Sequence, residues 1–366
     1  YCFLRMPFGL KSAGSTFARA VQIGFEPQLH RNMEAYMDDI VVKTKDKATL
    51  VQDLEETFAN LRKINLKLNP EKCVFGVPPG KLLGFFVSQH GIEANPDKIK
   101  AIEQIEAPKW IKYMRRLTGC VASMSRFISK SAERALPFFK ILKRAGPMEW
   151  TLEAEAALQD LKKYLSSTPV LVAPKPQEPL LLYLAATNQV VSVALVTQRE
   201  VDEETAAMAE SMVGGPEPSP AGLGPGKAGA STTGPAQPGE VAQRKKMVQH
   251  PVYFVSSLLQ GARSRYSGVQ KLLFGLLMAS RKLRHYFQAH EITVVTRLPL
   301  QRILHNPDAT GRTVEWALEL SSFGLKFEST STIQSLILAE FVAEWTSMPD
   351  KELQETTHRG EETSGN

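Results

Sequence analysis

Apolar residues recur along this chain at two different spacings, and the spacing predicts where helices and strands form. Between residues 33 and 43, apolar runs flank a polar pair, which favours two short strands joined by a tight turn. Between residues 50 and 65, apolar positions return every three or four residues and so share one helical face. Those positions are Leu50, Leu54, Phe58 and Leu61. The front of the chain is therefore expected to combine a hairpin with a packed helix.

The remainder of the chain divides in the same way. A strand is expected over 83–87, after a Pro-Pro-Gly turn, and residues 89–150 are expected to be helical and basic. From Thr151, which suits a helix N-cap, helices and strands alternate. The expected helices are 152–166, 268–287, 313–322 and 336–345, and the expected strands are 180–185, 191–196, 252–255, 292–296 and 325–328. This alternation predicts a mixed α/β (α+β) fold.

One segment interrupts the alternation. Residues 214–240 contain 8 Gly and 6 Pro and lack aromatic residues. Such a composition buries too little apolar surface to offset the entropy of ordering the chain. We therefore expect a disordered insertion over 201–249, which is either a loop between two strands or an inter-domain linker. The expected parts of the chain are 1–88, 89–150, 151–346 and a polar tail at 347–366.

Composition narrows the class of protein. The 366 residues are 43% hydrophobic and 22% charged, which allows a packed core, and no apolar run approaches the roughly 20 residues that cross a bilayer. No signal peptide is evident, so a cytoplasmic or nuclear protein without a membrane partner is expected. The cysteines are odd in number and far apart, which argues against a disulfide framework or a zinc module. They are Cys2, Cys73 and Cys120.

Charge is distributed unevenly. Residues 1–150 hold 24 Lys and Arg against 15 Asp and Glu, an excess of nine positive charges, although the whole chain carries only +6. A basic front half suits a polyanionic partner, because neutralising phosphates releases counterions. The same excess is also compatible with a generic solubilising surface.

The strongest chemical signal is the pair Asp38 and Asp39, which follows Tyr36 and Met37 at the predicted turn. Two adjacent carboxylates between apolar strands can face one spot, and oxygen ligands suit Mg²⁺. Nucleotidyl transfer uses two such ions to activate the primer 3′ oxygen and to stabilise the leaving pyrophosphate. An isolated Asp-Asp pair is more often a surface turn, so the surrounding motifs decide.

Three further motifs accompany the acidic pair in order. Met-Pro-Phe-Gly-Leu-Lys-Ser-Ala begins at Met6, Leu-Asn-Pro-Glu-Lys-Cys ends at Cys73, and Leu-Leu-Gly-Phe begins at Leu82. With Tyr-Met-Asp-Asp, these motifs resemble the polymerase of gypsy-type LTR retrotransposons, plant elements among them, and residues 115–127 resemble the thumb of the same family. The resemblance covers roughly residues 1–346.

The resemblance implies a fold and a set of partners. It implies a partial reverse-transcriptase palm without fingers at 1–88, a helical thumb or connection at 89–150, and an RNase H-like mixed sheet at 151–346. The implied cofactor is Mg²⁺. The implied partners are nucleic acid, as RNA template, DNA primer and RNA–DNA hybrid, and the rest of a retroelement polyprotein.

The resemblance also implies roles in the polymerase site. Asp38 would be a catalytic metal ligand, with Asp39 beside it. Phe8 and Gly9 would line the pocket for the incoming nucleotide, where glycine permits close backbone approach. Lys72 would place a positive charge near the triphosphate. Taken alone, Gly9 is more often an ordinary turn glycine and Lys72 a solvated lysine.

Leu83 and Gly84 would lie where the primer strand is gripped, although Leu83 is expected in the core under either interpretation. In the family, the first polymerase carboxylate lies upstream of Met6, and this sequence begins at Tyr1. A metal site without that carboxylate should bind magnesium weakly. We therefore expect little or no polymerisation from this chain alone.

The family's RNase H carboxylates are replaced in this sequence. The corresponding positions hold Ala185, Gln270, Arg297 and Glu340. Three of the four cannot act as carboxylate ligands, and Arg297 is a cation where a cation should bind. We expect no metal-dependent nuclease activity from these degenerate positions.

Three functions remain open at this point. The chain is an RNA-directed DNA polymerase or its remnant, which the motif order favours. It is a non-catalytic nucleic-acid-binding scaffold, which the basic stretch 112–130 favours. Or it is a product that does not fold stably, because palm surface is left uncovered. A second basic stretch, 281–286, either contacts a duplex backbone or complements a helix dipole.

Overall fold

The structure is a computed structural model of the chain, and it divides into two compact units, Tyr1–Pro78 and Pro79–Asn366. It describes residues 9–37, 39–44, 46–77, 80–88, 91–144, 146–167, 170–202, 245–296, 298, 300–304 and 311–328. The helices are α1 (Ala13–Phe25), α2 (Leu50–Lys63), α3 (Pro96–Glu103), α4 (Ile111–Ser123), α5 (Ser131–Arg134), α6 (Leu136–Lys143), α7 (Leu152–Ser166), α8 (Gly268–Lys282), α9 (Arg284–Ala289), α10 (Leu300–Leu304) and α11 (Arg312–Ser321). The strands are β1 (Met33–Tyr36), β2 (Asp39–Val42), β3 (Gly80–Leu82), β4 (Phe85–Val87), β5 (Ile92–Glu93), β6 (Leu180–Ala186), β7 (Val190–Asp202), β8 (Lys245–Leu258), β9 (Ile292–Val295) and β10 (Lys326–Glu328).

The first unit packs α1 and α2 with the β1–β2 hairpin. The predicted apolar helical face becomes α2, and its Leu61 joins Phe25 of α1 and Met33 of β1 in one buried cluster. A buried polar pair lies close by, where Gln28 Nε2 donates to Thr57 Oγ1 over 3.1 Å. This bond satisfies polar groups that would otherwise be costly to bury.

The second unit begins with the antiparallel sheet β3–β4–β5. Ile92 of β5 exchanges both backbone hydrogen bonds with Leu171, at 2.7 and 2.9 Å. Gly91 has a φ of +143°, and a Cβ there would stand 2.2 Å from the Leu171 carbonyl oxygen. Only glycine permits this approach, so Gly91 allows the small sheet to bind the segment that leads into β6.

Helices α3 to α7 form the next layer. On α4, Met114, Leu117 and Val121 are three or four residues apart and all are buried, as an amphipathic helix requires. The rings of Phe138 and Trp150 stack with centroids 6.1 Å apart. Thr151 caps α7 by accepting from the Ala154 amide over 3.2 Å, which confirms the predicted N-cap. Together these helices cover one face of a larger sheet.

That sheet has five strands in the order β10–β9–β6–β7–β8. The β10–β9 and β9–β6 pairs are parallel, while β6–β7 and β7–β8 are antiparallel. Strand β6 reads Leu-Leu-Leu-Tyr-Leu-Ala-Ala without polar alternation, because both faces of the sheet are covered. Tyr183 and Ala185 belong to the cluster shared with α4–α7, and Leu182 and Leu184 belong to the cluster shared with α8 and α11.

Helix α8 packs very closely on the second face. A Cβ at Gly275 would stand 2.5 Å from Val191 Cγ2 of β7, so the helix approaches the strand to a distance that a side chain would prevent. Helix α11 packs beside α8, where Trp316 contacts the rings of Tyr266 and Phe274. The sheet is therefore enclosed by helices on both faces.

Several expectations can be compared with these elements. Strands β7 and β8 pair as far as Asp202 and Lys245, so pairing reaches into both ends of the expected insertion at 201–249. Residues 203–244 lie outside the described residues, as do the expected helix at 336–345 and the tail at 347–366. The helix expected at 268–287 is divided between α8 and α9 at Leu283. No helix in the described part of the chain has the length and hydropathy needed to span a membrane.

Candidate functional site

The predicted acidic hairpin forms, and its described carboxylate lies at the tip. Strands β1 and β2 are antiparallel, with Tyr36 opposite Asp39 as the last pair before the turn. Met37 takes the left-handed conformation, with a φ of +50°, which a two-residue hairpin turn requires. Asp39 is exposed, and its carboxylate makes no hydrogen bond or ion pair among the described residues. Its carboxylate is therefore free to meet a ligand. Asp38 lies outside the described residues.

The other carboxylate of the hairpin is already neutralised. Glu34 accepts from Lys43 Nζ at 2.6 Å and contacts His30 Nδ1 at 3.0 Å. The hydrogen bond from Lys43 is the main cause that holds the pKa of Glu34 below its ordinary value. The two described carboxylates of the hairpin thus differ, since Glu34 has a structural partner, whereas the Asp39 carboxylate has none in the described part of the chain.

The implied nucleotide-binding residues of the first unit are exposed. Gly9 has a φ of +93° with open space where a Cβ would lie, so it suits close approach by another group. Lys72 ends the short 3-10 helix Pro70–Lys72, which Asn69 caps by accepting from the Glu71 amide over 3.1 Å. Phe8 lies outside the described residues.

The implied primer-gripping pair lies in the second unit and corrects two expectations. Leu83 and Gly84 form the turn between β3 and β4, with φ values of +51° and +80°. The strand expected over 83–87 is therefore wrong in its first two residues. Leu83 is 44% exposed, so its assignment to the core is also wrong. Its side chain lies at a turn tip because the Leu82–Phe85 pair closes the hairpin around it.

A magnesium site is not complete among these residues. No group of three or more His, Cys, Asp or Glu that could hold a metal occurs within the described ranges. Asp39 alone supplies one carboxylate, whereas such ions take about six oxygen ligands, of which proteins commonly supply one or two carboxylates. The described residues therefore do not fit a two-metal centre by themselves.

The position predicted to correspond to the first RNase H carboxylate is closed. Ala185 on β6 is only 8% exposed and belongs to the cluster shared with α4–α7. Opposite it on β7, Ser192 Oγ lies 2.8 Å from Ser256 Oγ of β8. The amide of Ala132 on α5 donates to Ser256 Oγ over 3.2 Å. Helix α5 thus covers this part of the sheet, where an RNase H would need an open, hydrated carboxylate.

Of the other positions predicted to be degenerate, Gln270 lies among the described residues. Gln270 is exposed at the first turn of α8 and forms a capping box with Ser267, through bonds of 3.3 and 3.2 Å. Its side chain therefore has a structural role at the helix end. Arg297 and Glu340 lie outside the described residues.

The basic helical stretch presents a cationic and aromatic face. Residues 107–132 hold six Lys and Arg and no Asp or Glu. The buried face of α4 leaves Lys112 and Arg116 exposed, together with Trp110 at 69% and Tyr113 at 52%. A helix face with cations and exposed rings is suited to phosphates and bases.

The cations of the second basic stretch are exposed, but Arg281 among them already has a partner. Arg281 forms a two-pronged ion pair with Glu319 of α11, at 2.7 and 2.6 Å. Burial lowers the pKa of Lys282. The ion pair favours a role for Arg281 in packing α8 on α11 over contact with a duplex.

Sequence reasoning missed one cluster altogether. Arg126 lies within the basic stretch 112–130, where the sequence marks it only as one of several cations. Its aromatic neighbours Phe85 and Tyr253 are 41 and 127 positions away in the sequence. Spacing along the chain contains no signal for such a contact. A basic residue next to an apolar core residue, here Phe127, was the nearest available hint.

Comparisons with known proteins agree with this architecture. Residues 1–114 match the family model described as reverse transcriptase (RNA-dependent DNA polymerase). Residues 236–323 match the model of the RNase H-like domain found in reverse transcriptase.

Curated relatives are transposon polyproteins. The chain is 26% identical over 330 residues to the retrovirus-related Pol polyprotein from transposon 297 of Drosophila melanogaster, covering 90% of this chain and 26% of the relative. It is 32% identical over 207 residues to that from transposon opus of the same species, covering 53% and 20%. It is 27% identical over 202 residues to the transposon Tf2-3 polyprotein of Schizosaccharomyces pombe, covering 55% and 15%. The chain spans about a quarter or less of the length of these relatives.

Solved structures show the fold. The foamy viral protease-reverse transcriptase in complex with RNA/DNA hybrid is 17% identical, with a TM-score of 0.67, and the match covers 91% of this chain and 40% of that one. The same protein in complex with dsDNA is 17% identical, with a TM-score of 0.65, and the match covers 91% and 61%. The predicted fold class is therefore confirmed: a partial reverse-transcriptase palm and a helical thumb precede an RNase H-like mixed sheet.

Proposed function

We propose that this chain is the palm, thumb and RNase H-like part of the reverse transcriptase of a gypsy-type LTR retrotransposon. We further propose that the chain on its own binds nucleic acid without copying or cleaving it. The acid-free cationic face of α4 is the observation that carries the binding proposal. The motif order and the free carboxylate of Asp39 support the polymerase ancestry. The site of action would be the cytoplasm or the nucleus, where a template and a primer are available.

In the polymerase site, Asp38 and Asp39 would be the two carboxylates that face a metal ion, while Phe8, Gly9 and Lys72 would receive the incoming nucleotide. Magnesium would supply charge neutralisation at the transferring phosphate. Because the described residues provide only part of a metal centre, we expect weak ion binding and no primer extension above background. Leu83 and Gly84 would contact the primer strand from their exposed turn.

Manganese titration followed by electron paramagnetic resonance tests this assignment without depending on activity. The chain should bind Mn²⁺ weakly, and Asp39→Asn should abolish that binding. Glu26→Gln removes another exposed carboxylate of the first unit and serves as the matched control. Equal Mn²⁺ binding by the wild-type chain and Asp39→Asn would refute the role of the acidic pair.

The binding proposal concerns the exposed face of α4. Lys112 and Arg116 would lie against phosphates, while Trp110 and Tyr113 offer rings on which unpaired bases can stack. Each neutralised phosphate contributes about 0.9 to the slope of log affinity against log salt on a duplex. An RNA–DNA hybrid or a primed template is the expected ligand.

Fluorescence anisotropy with a labelled RNA–DNA hybrid tests whether the exposed face of α4 binds nucleic acid. Replacing both Lys112 and Arg116 by Ala should reduce the salt slope by about 2. Lys81→Ala is the control, since Lys81 is already paired with Asp97 in the same unit. An unchanged slope in the double variant would place the binding surface elsewhere.

A second candidate is a non-catalytic nucleic-acid-binding relic. The burial of Ala185 under α5 favours this candidate for the RNase H-like part, because a sealed face cannot receive a scissile phosphate. The two candidates make different predictions for Asp39 in a longer polyprotein that contains this chain. If that polyprotein extends primers and Asp39→Asn stops the extension, the polymerase candidate is correct. If extension does not depend on Asp39, the relic candidate is correct.

A further inference from the structure

Arg126 lies at a junction of several elements within the second unit. It follows α4, and its backbone carbonyl accepts from the Phe254 amide of the edge strand β8 over 3.2 Å. Its side chain reaches Phe85 on β4 and Tyr253 on β8. The thumb-like helices, the small sheet and the RNase H-like sheet therefore meet at this one residue.

Aromatic rings surround the guanidinium. Its Cζ lies 4.8 Å from the centroid of Phe85, 4.7 Å from that of Tyr253 and 5.7 Å from that of Phe127. The positive charge of Arg126 also acts on Tyr286, where it opposes the rise in pKa that burial causes. Such contacts hold a planar guanidinium in one orientation and favour its charge.

Among the described residues, the guanidinium has no anionic partner. Throughout the described ranges, its side chain forms neither an ion pair nor a hydrogen bond, and its Nε is buried without an acceptor. Arg134 differs in this respect, because it lies over the Tyr164 ring at 4.4 Å and also binds Asp160. Arg126 is thus a fixed, half-buried cation whose N–H donors are unused.

A second cation lies near the same ring. Lys98 of α3 lies over the same Phe85 ring, with Nζ 5.9 Å from the centroid. The segment 107–132 around Arg126 contains no acidic residue. The rings lie against the faces of the guanidinium, so its N–H groups can donate only along the edge of its plane. A phosphate group has oxygens spaced to accept two such hydrogen bonds.

We propose that Arg126, held between Phe85 and Tyr253 and assisted by Lys98, is a seat for a phosphate group at the junction of the thumb-like helices with the RNase H-like sheet. The proposal rests on the proposed nucleic-acid binding, because the phosphate would belong to the backbone of a strand that also passes α4. The ligand that Arg126 recognises would be the phosphate group itself.

Two measurements on the full chain test the seat. In the first, inorganic phosphate is titrated into protein with ¹⁵N-labelled arginine, and the Nε–H resonances are followed by NMR. The Arg126 resonance, assigned by its loss in Arg126→Lys, should shift in a saturable manner, while that of Arg144, already paired with Glu149, should not. Absence of a specific shift at Arg126 would overturn the proposal.

In the second measurement, hybrid binding is followed by anisotropy as a function of salt. Arg126→Met should weaken binding about tenfold and lower the salt slope by about 1. Arg126→Lys keeps the positive charge but lacks the paired N–H donors of the guanidinium. It should therefore keep the salt slope and bind the hybrid severalfold more weakly. Arg144→Met is the matched control and should change affinity by less than twofold. If Arg126→Met fails to fold, the Arg126→Lys variant and the phosphate titration still test whether Arg126 binds phosphate.

The outcomes separate the two proposals. A phosphate-dependent shift at Arg126 without hybrid binding would keep the seat and refute the proposed nucleic-acid function. Hybrid binding with an unchanged slope in Arg126→Met, and no phosphate shift, would refute the seat alone. If neither ligand binds, both proposals fail.

Discussion

The hairpin tip around Asp39 and the sheet face around Ala185 differ in access. The family resemblance predicts a polymerase carboxylate at the first position and an RNase H carboxylate position at the second. Asp39 is exposed and unpaired among the described residues, while Ala185 is buried beneath α5 with a serine network beside it. A carboxylate that must bind metal has to remain open. A small apolar residue such as Ala185 makes no such demand, so the surface around it is available for packing.

The largest effect should come from restoring the lost carboxylate. Ala185→Asp would bury a charge within the cluster shared with α4–α7, so it should destabilise the second unit by about 3 kcal/mol or more. Chemical denaturation of the purified chain measures this. Asn188→Asp, which adds the same charge three residues later at an exposed position, should change stability by less than about 0.5 kcal/mol. Recovery of nuclease activity by Ala185→Asp would show that the face is open.

A smaller loss is expected from closing the gap between α8 and the sheet. Gly275→Ala places a methyl group 2.5 Å from Val191 Cγ2, which should cost about 1–3 kcal/mol through overpacking. Gly119→Ala on α4 has nothing within 4 Å of the new methyl and should stabilise by up to about 1 kcal/mol. Equal thermal shifts in the two variants would contradict this account of helix–sheet contact.

Acid should weaken the second unit through Glu178. Arg199 donates two hydrogen bonds to this carboxylate, both within 2.9 Å, and the pKa of Glu178 is lowered from 4.5 to about 2. Because the pKa of Glu178 is lower in the folded state than in the unfolded state, the ionised carboxylate stabilises the fold above pH 4.5. This stabilisation is lost as the pH falls toward 2. Glu178→Gln should cost about 2 kcal/mol at pH 7 and flatten the stability profile between those values. A profile as steep as that of the wild type would exclude Glu178 as the cause.

The smallest effect is expected at the hairpin tip. Because the Asp39 carboxylate makes no bond within the described part of the chain, Asp39→Asn should leave the free energy of unfolding within about 0.5 kcal/mol of the wild type. Glu34→Gln, on the adjacent strand, removes the partner of Lys43 and should cost slightly more. A marked loss of stability in Asp39→Asn would mean that this carboxylate has a structural role.

Local patterns in the sequence predicted much of this fold. Helix α2, the β1–β2 hairpin and the cap at Thr151 follow from spacing and turn chemistry, which act over a few residues. The turn at Leu83 was mistaken for strand and core because an apolar residue next to glycine in a two-residue turn looks like the start of a strand. The left-handed backbone that separates these cases is not visible in composition.

The site was predictable where residues are adjacent and unpredictable where they are distant. Motifs of adjacent residues predict the acidic pair and the replaced RNase H positions, and those roles stay predictions. The burial of Ala185 depends on Ala132 and Ser256, which are 124 positions apart, and the rings around Arg126 come from different elements. Such contacts arise only when the sheet and the thumb-like helices pack together.

The most direct test of the central claim is to incubate the full chain with a labelled RNA–DNA hybrid and Mg²⁺, and to follow binding and strand integrity in the same sample. The account predicts salt-dependent binding that persists in Asp39→Asn, with the RNA strand left intact and the primer not extended. Cleavage of the RNA strand by the wild-type chain, or failure to bind the hybrid at low salt, would contradict it.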